Sequence, residues 1–357
     1  MSRKILLRCT VVGSIALITA RSWPAVGAQP PEPTPVAAAP EPANIPEPEV
    51  LEKGPIHEAF AEPLLLDRQT PLVVAKHPPQ PINELPPDER PAGKNIQWIK
   101  GYWAFHEEVD DFVWVSGLWR DVPPGREWVA GEWQETDGGY VWSPGSWAES
   151  GAQEVQYLST PPESLEQGPS SPAPGDNYLW APGCWRYDSG EYNWQPGFWY
   201  EVQQDWVWVP NHYCYTPQGS VYVNGYWDYP LARRGLLYAP VYWSAGYGGW
   251  YVGAHYRPRS IFNTGLLIAS LFVHHRHGHY YYGYGAGPTP PWLHGWGLHG
   301  YNRWGYYGGS HGKRYDPLWA HYSWHNRHGR HGNHRDDWTS KGHGKIIPAA
   351  TVRANTA

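Results

Sequence analysis

One short pattern, two tryptophans flanking a glycine as Trp-x-x-Gly-x-Trp, recurs six times and limits the possible folds more than any other feature. Three weaker copies follow, in which other residues replace part of the pattern. The leading aromatic residues of successive copies are 16, 14, 14, 38, 14, 14, 14 and 16 residues apart. A step this short does not suit a solenoid or propeller unit, but it accommodates one strand of about nine residues and a turn of about five.

The regular copies are Trp98/Gly101/Trp103, Trp114/Gly117/Trp119, Trp128/Gly131/Trp133, Trp142/Gly145/Trp147, Trp180/Gly183/Trp185 and Trp194/Gly197/Trp199. The weaker copies are Trp208/Asn211/Tyr213, Tyr222/Gly225/Trp227 and Tyr238/Val241/Trp243.

Turn-forming residues lie midway between the copies, in the sequences VPPGR (122–126), TDGG (136–139) and DSGE (188–191). Such residues favour hairpin connections between strands. We therefore predict an all-β fold, an antiparallel meander of about nine short strands, flanked by disordered Pro-rich and Gly/His/Tyr-rich segments.

The central glycine predicts a local irregularity in each strand. Two residues five apart on a regular strand point to opposite faces, and one extra residue in a β-bulge returns them to the same face. Glycine permits the positive φ that such a bulge uses. The competing interpretation places Pro-Gly at a hairpin tip, but Lys100, Ser116 and Ala130 replace the proline without disturbing the period.

These copies resemble the bacterial WxxGxW (YXWGXW) repeat family of exported proteins. The resemblance covers Trp98 to about Trp243, and the last three copies depart from the pattern. It implies export and repetition, and it implies no chemical activity.

The N-terminal region divides into a leader and a spacer. Residues 1–28 have a basic start, an apolar run from Ile5 to Ala20 and small residues before the expected cleavage point, which is typical of a signal peptide. An uncleaved membrane anchor is the alternative. Residues 29–95, with 17 prolines up to Pro91, are expected to form an extended linker, although GPIHEAFAEPLLL (54–66) could dock as a short helical turn.

The repeats define a β domain over 96–244, with an inserted loop at 149–177. A Gly/Tyr/His/Trp-rich basic region follows over 245–357 and is expected to be largely disordered beyond about 278. Its apolar run, Ile261 to Val273, is too short to span a bilayer and predicts a buried strand or helix.

Charge is distributed unevenly along the chain. Residues 29–240 hold 30 acidic and 11 basic side chains, whereas 241–357 hold 3 acidic and 12 basic ones. The two regions should therefore attract each other. The basic C-terminal region could also contact polyanionic surface material.

The sixteen tryptophans between Trp98 and Trp243 allow two interpretations. Burial of the rings would supply the main cohesion of the sheet through cross-strand aromatic pairs. Alternatively, one face stays exposed and stacks sugars, whose hydroxyls would bind the neighbouring acidic residues Glu107, Glu108, Asp110, Asp111, Glu132 and Glu135. An exposed aromatic face would equally suit a protein partner or self-association.

Histidines and cysteines supply further candidate ligands. His275, His277 and His279 alternate and could bind a transition metal from one face of a strand, although no carboxylate or thiol lies nearby in the sequence to complete a site. His325, His328, His331 and His334 recur every third residue, a spacing that aligns them on a polyproline-type helix. Cys184 and Cys214 lie two repeats apart, too far for a disulfide unless the sheet curls at the Asn211 copy.

The sequence predicts no enzyme and no cofactor. GGSHG (308–312) formally matches the GxSxG nucleophile elbow, but its flanks lack the strand and helix that an elbow requires. We therefore expect an exported structural or interaction protein of the cell envelope or matrix. Envelope polysaccharide, other surface proteins and a second copy are candidate partners, with no specific nucleic acid and no transmembrane domain after cleavage. A carbohydrate-binding module and a metal-binding surface protein are the alternatives.

Overall fold

The computed structural model describes residues 47–152, 154–243, 255–267, 271–274, 279–284, 293–295, 305–307, 314–328 and 346–348. The predicted signal peptide, His275, His277, His331, His334 and the GGSHG sequence lie outside these ranges.

The residues ahead of the repeats contribute four strands of two residues each. They are β1 (Glu49–Val50), β2 (Gly54–Pro55), β3 (Leu64–Leu65) and β4 (Val73–Val74).

Each copy of the repeat forms two short strands. Between them lie the motif glycine and the residue before it, such as Lys100 and Gly101 in the first copy. The copies up to residue 149 give β5 (Ile96–Ile99), β6 (Tyr102–His106), β7 (Asp111–Val115), β8 (Leu118–Asp121), β9 (Arg126–Val129), β10 (Glu132–Thr136), β11 (Gly139–Ser143) and β12 (Ser146–Glu149). The inserted loop carries β13 (Tyr157–Leu158). The later copies give β14 (Tyr178–Ala181), β15 (Cys184–Asp188), β16 (Glu191–Gln195), β17 (Phe198–Glu201), β18 (Val207–Val209), β19 (His212–Thr216), β20 (Gly219–Val223) and β21 (Tyr226–Asp228).

Two consecutive copies fold back on each other to form one antiparallel hairpin. In the first hairpin (96–121) the inner strands β6 and β7 pair, and so do the outer strands β5 and β8. The leading Trp of each copy thereby lies opposite the closing Trp of the other. The ring centroids of Trp98 and Trp119 are 5.4 Å apart, those of Trp103 and Trp114 are 5.3 Å apart, and both pairs meet edge to face, the geometry that aromatic quadrupoles favour.

The same pairing recurs in the second (126–149), third (178–201) and fourth (207–228) hairpins. The predicted all-β fold with short antiparallel strands is therefore confirmed. The expected meander is divided into two-copy units, because in the part of the chain described above no ladder joins one of these hairpins to the next. A 3-10 helix (Leu231–Arg233) follows the fourth hairpin, and the degenerate ninth copy adds β22 (Gly235–Leu237) and β23 (Val241–Tyr242) to the edges of the first hairpin.

The interruption at each glycine is symmetrical, so the predicted bulge is wrong. Across the first hairpin the register passes from the Ile99–Leu118 pair to the Tyr102–Val115 pair, which leaves two unpaired residues on each strand. A bulge would require unequal numbers. Among the described residues, positive φ angles occur at turn glycines such as Gly139 and not at the glycines of the repeat.

Part of the predicted Pro-rich linker is packed core. Residues 56–61 are all buried, and the Phe60 N–H donates to His57 O at 2.9 Å, which closes the turn that the sequence suggested. This docking needs side chains and a turn rather than long ladders, so a proline-rich composition does not prevent it.

Buried arginines hold this docked turn in place. Arg120 Nε donates to Ala59 O at 3.0 Å, and Arg234 Nη1 donates to Phe60 O at 2.5 Å. Both guanidinium groups also bind buried Asp228, with N–O distances of 2.6 and 2.7 Å. The two buried cations are therefore paired with a carboxylate, as burial of a charge requires.

The described residues of the C-terminal region form strands and helices on both sides of residue 278, beyond which the sequence predicted a largely disordered segment. The elements of this region are β24 (Ser260–Phe262), α1 (Thr264–Leu267), β25 (Phe272–His274), β26 (Tyr280–Tyr282), β27 (Leu293–Gly295), β28 (Tyr306–Tyr307), β29 (Arg314–Tyr315), α2 (Pro317–His328) and β30 (Ile346–Pro348). Tyr280, Tyr282 and Tyr315 are at most 1% exposed. Buried tyrosine rings provide the apolar surface that this composition otherwise lacks. His325 and His328 lie in α2, so the predicted polyproline helix is wrong for these two residues.

Ion pairs link the acidic and basic regions of the chain, as their charges suggested. Arg257 lies 2.5 Å from Asp88, and Arg259 lies 3.2 Å from Glu47. These pairs are exposed and each contributes little stability.

Candidate functional site

The break in each hairpin is the most chemically distinctive place in the fold. At the first break the carboxylate of Glu84, from the segment before the repeats, enters between the separated strands. Its Oε2 accepts a hydrogen bond from Gly101 N at 2.8 Å, and its Oε1 accepts bonds from Gly117 N and Trp114 Nε1 at 3.0 Å each. One buried side chain thus satisfies donors from both strands. We call this arrangement a glutamate seal.

A second glutamate seal closes the second hairpin. Glu58, from the docked turn ahead of the repeats, accepts hydrogen bonds from Gly145 N at 3.0 Å and from Trp142 Nε1 at 3.2 Å. The donors are again a repeat glycine and the leading tryptophan of the same copy. The arrangement is therefore a property of the repeat rather than of one hairpin.

The third hairpin takes its seal from the inserted loop. Glu166 accepts bonds from Gly183 N and Trp180 Nε1, and a further bond from Tyr306 Oη at 3.1 Å. Like the other two sealing glutamates, it is no more than 5% exposed. Sequence reasoning missed all three glutamates, because they lie outside the repeat.

The fourth hairpin supplies its own acceptor. Asn211 occupies the position of the glycine in the degenerate copy, and its Oδ1 accepts a hydrogen bond from Gly225 N at 2.6 Å. The departure from the repeat pattern is therefore a replacement for the external carboxylate.

The geometry of the seal explains the repeat glycine. A Cβ atom on Gly145 would lie 2.4 Å from Cζ2 of Trp128, 2.7 Å from Val129 O and 2.9 Å from Glu58 Oε1. The glycine is required because the leading indole ring of the other copy in the hairpin lies against it, and not because its φ is positive. Equivalent contacts with the partner copy's leading Trp surround Gly131, Gly183, Gly197 and Gly225.

Burial shifts the proton affinity of two seals. It raises the pKa of Glu84 to about 7 and that of Glu58 to about 8, although the donated hydrogen bonds oppose the shift by favouring the carboxylate. Other titratable side chains near Glu84 are Lys100 and Tyr256.

Protein stability should therefore depend on pH through Glu84. Unfolded glutamate releases its proton near pH 4.5, whereas folded Glu84 holds it to about pH 7. Unfolding therefore releases a proton between these values. The contribution of Glu84 is complete below pH 4.5 and is lost as pH rises through 7.

The variant Glu84→Gln, which cannot ionise, tests this dependence. The difference in unfolding free energy, wild type minus variant, should fall by about 3 kcal/mol between pH 4.5 and pH 8. Urea unfolding at several pH values measures it. Lys100 and Tyr256 are unchanged in both proteins, and a difference that is constant with pH would contradict the assignment.

The sixteen tryptophans between Trp98 and Trp243, of which Trp206 lies outside the motif, are buried to different degrees. Eleven of the sixteen are partly buried, and none is exposed. The five that are buried are Trp103, Trp114, Trp147, Trp180 and Trp243. The repeat region therefore shows no exposed row of indole rings.

Three closing tryptophans, Trp133, Trp185 and Trp199, illustrate the partial burial of the repeat rings. Each is only partly buried, although each meets the leading Trp of its partner copy edge to face, with centroids 5.3 to 5.6 Å apart. Burial of these three rings is therefore incomplete, as it is for eight other tryptophans of the repeat region.

The indole N–H groups of the same three rings donate to oxygens outside their own hairpins. Trp133 Nε1 donates to Trp103 O in the first hairpin at 2.7 Å. In the third hairpin, Trp185 Nε1 donates to Glu163 O at 3.0 Å and Trp199 Nε1 donates to Ser171 O at 3.2 Å, both in the inserted loop. These rings thus hold a hairpin against its neighbouring segment, a role that uses the polar N–H as well as the apolar ring.

The acidic residues considered for sugar binding include several with protein partners. Glu107 contacts His274 at 3.1 Å, and Glu108 contacts Lys53 at 2.6 Å. Lys76 Nζ lies 3.4 Å from Asp110 and 3.9 Å from Asp111. Glu108, Asp110 and Asp111 therefore lie beside lysine side chains of the chain, and Glu107 lies beside an imidazole.

Of the three candidate metal ligands, His279 is the one within the described residues. Its Nδ1 lies 3.1 Å from Glu62 Oε1 and 4.0 Å from Glu58 Oε2. No carboxylate lies near His279 in the sequence, and the structure supplies two from more than 200 residues upstream. Their four-residue separation in HEAFAE (57–62) was the signal that could have revealed them.

The two described cysteines are free thiols, Cys184 on β15 and Cys214 on β19. They belong to different hairpins, which agrees with the argument from spacing against a disulfide. Burial raises the pKa of the Cys184 thiol to about 12 and raises that of Cys214 as well. Neither is activated as a nucleophile.

Fold and site together define a class of protein, an all-β repeat protein whose unit is a hairpin of two tryptophan copies closed by a buried acceptor. Residues 98–120, 138–153, 175–201 and 204–228 match the family described as WXXGXW repeat (2 copies). The predicted resemblance to the WxxGxW repeat family is thereby confirmed over these residues. Neither a curated protein nor a solved structure matches the chain. Within the described residues, no helix has the length and apolar character needed to cross a membrane.

Proposed function

We propose that the protein is an exported, non-enzymatic structural or interaction protein of the bacterial cell envelope or extracellular matrix. The observation that carries the proposal is the packing of all sixteen tryptophans between Trp98 and Trp243, wholly or in part, against the protein itself, which favours cohesion over ligand binding. The basic, apolar and small-residue pattern of residues 1–28 supports export. Envelope polysaccharide, surface proteins or further copies of the chain are the proposed partners.

The carbohydrate-binding alternative receives less support. Aromatic sugar platforms need flat, solvent-exposed rings, whereas the exposed large apolar side chains here include Tyr187 and Phe198 but no tryptophan of the described residues. A metal-binding role has independent support from His279 and is taken up below.

Fluorescence quenching tests the structural role of the tryptophans. In the full chain, acrylamide should quench tryptophan emission weakly, and a panel of envelope glycans should leave the emission unchanged. Phe198→Trp provides the matched control, because it places one indole at a position that is 48% exposed and should add a readily quenched component. Strong quenching of the wild type, or saturable changes with a glycan, would favour the carbohydrate-binding alternative.

Cell fractionation tests export separately. The full chain expressed in a Gram-negative host should be recovered from the envelope or the medium. Leu17→Arg, which places a charge in the apolar run of the leader, should retain it in the cytoplasm. Equal cytoplasmic recovery of both proteins would contradict the proposed location.

A further inference from the structure

We propose that Glu58, Glu62 and His279 form a binding site for a divalent transition-metal ion of the zinc class. One potential ligand atom from each residue can be chosen so that all three lie within 4.8 Å of one another. Zinc binds imidazole nitrogen and carboxylate oxygen at about 2.0–2.2 Å, so its ligand atoms are separated by about 3–4 Å. The distances of 3.1 and 4.0 Å from His279 Nδ1 to the two carboxylates are compatible with that spacing.

Backbone pairing holds the site together. Strand β2 pairs with β26 through Gly54–Tyr282 and Pro55–Tyr281, and Ile56 N donates to Tyr280 O at 3.0 Å. This ladder brings the residue before β26, His279, beside the turn that carries Glu58. The site is therefore built from two segments that are distant in sequence and joined by backbone hydrogen bonds, rather than from neighbouring histidines alone.

The carboxylate of Glu58 is already oriented by the glutamate seal. Gly145 N and Trp142 Nε1 donate to its two oxygens and fix the plane of the group. Donors of this kind commonly orient ligands in metal sites. Glu58 would thus serve both the second hairpin and the ion.

The charges of the cluster suit a divalent ion. Two carboxylates and one neutral imidazole balance a charge of +2, and the histidine favours a transition metal over calcium or magnesium. Arg120 and Arg234, the nearby buried cations, are bound to Asp228. Among the ion pairs of the described residues, His279 is the partner of both Glu58 and Glu62.

A cavity beside the cluster gives the ion access and room for water. Its volume is about 110 Å³, and its walls include Glu62, His279, His212 and Cys214. A space of this size holds several water molecules. Three protein ligands would therefore leave a fourth position for water, or for one of the two other donor side chains in the wall.

Cobalt(II) titration of the chelator-treated full chain tests the site. Co²⁺ replaces Zn²⁺ and gives strong visible absorption when its coordination is tetrahedral. We expect one equivalent of this absorption in the wild type, reversed by Zn²⁺. Glu62→Gln and His279→Gln should each weaken Co²⁺ binding at least tenfold, while their circular dichroism stays that of the wild type. Glu58 is left intact because it also closes a hairpin.

His325→Gln is the matched control for binding elsewhere. His325 Nε2 lies 3.2 Å from His321 Nε2, so this pair offers the metal a competing two-histidine site in α2. The control should retain wild-type absorption and affinity. Absence of the tetrahedral absorption in the wild type, or its persistence at full affinity in both folded ligand variants, would overturn the proposal.

Discussion

Replacing Glu84 by alanine is expected to lower the free energy of unfolding by about 4 kcal/mol. The substitution removes the acceptor of Gly101 N, Gly117 N and Trp114 Nε1, and it leaves these donors at the centre of the first hairpin. Each buried donor without a partner costs about 1–3 kcal/mol, less whatever water can satisfy in the space left behind. The measurement is urea unfolding at pH 6, below the pKa of Glu84.

Glu135→Ala is the matched control for this substitution. Glu135 lies on β10 and is exposed, so its removal should change stability by no more than about 0.5 kcal/mol. Hydrogen exchange gives a local test, since the amides of Gly101 and Gly117 should exchange faster in Glu84→Ala. A loss below about 1 kcal/mol with unchanged exchange would show that the seal does not hold the hairpin together.

Replacing Gly145 by alanine is expected to cost about 3 kcal/mol. The added methyl group would overlap the Trp128 ring, the Val129 carbonyl and the Glu58 carboxylate. Two of these neighbours are rigid, because the ring packs edge to face on Trp147 with centroids 5.0 Å apart and the carbonyl belongs to a strand end. The overlap of the added methyl group can therefore be relieved only if the Trp128 ring, the Glu58 carboxylate or both move.

Gly138→Ala separates this steric effect from the general effect of losing a glycine. Gly138 lies in the turn of the same hairpin, its φ is not positive, and a Cβ there would meet its nearest neighbour at 3.4 Å. Its substitution should be neutral within about 0.5 kcal/mol. Denaturant unfolding of both variants measures the contrast. Equal effects would mean that close packing of the indole does not explain the repeat glycine.

The repeat pattern was sufficient to predict strands, turns and antiparallel pairing. Tryptophan spacing and the turn sequences are local signals, and they correctly indicated the all-β class. The pattern also suggested a single meander, because it contains no signal that distinguishes two possibilities. Strands could pair only inside units of two copies, or each of the nine copies could pair with the next. That distinction depends on which Trp faces which, such as Trp98 opposite Trp119, and this is a property of tertiary structure.

The degree of burial of each tryptophan ring could likewise not be predicted from the repeat pattern. Trp133, Trp185 and Trp199 occupy the same position in the motif as buried Trp103 and Trp147, yet they are only partly buried. Identical motif positions have different surroundings, because the segments that cover a hairpin come from outside the repeat.

The seals could not be predicted from the repeat because their acceptors are distant in sequence. Glu84 lies 17 and 33 residues from the two glycine donors that it binds, and Glu58 lies 87 residues from Gly145. Both occur in a proline-rich stretch whose composition is typical of a spacer. Proline prevents long ladders, but it does not prevent a single buried side chain from completing a neighbouring sheet.

The sequence analysis attributed the repeat glycine to a positive φ, whereas the structure shows that the position requires the absence of a side chain. Positive φ and lack of a side chain are both unique to this residue, and the sequence alone does not say which one a position uses. The metal candidates show a similar limit. His279 was identified from its neighbours in the chain, whereas its contacts are Glu58 and Glu62, brought to it by the pairing of β2 with β26.

Because the glutamates of the first three seals lie outside the tryptophan motif, the sequence unit that is repeated is smaller than the structural unit that can fold. A fragment cut at the first and last tryptophan motifs would lack Glu58 and Glu84, and its first two hairpins would be left incomplete. During synthesis both glutamates leave the ribosome before the hairpins that they close. The hydrogen-bond acceptor is therefore available when each hairpin forms. Gene duplication of the tryptophan motif alone would therefore yield a viable copy only where, as at Asn211, the copy brings its own acceptor.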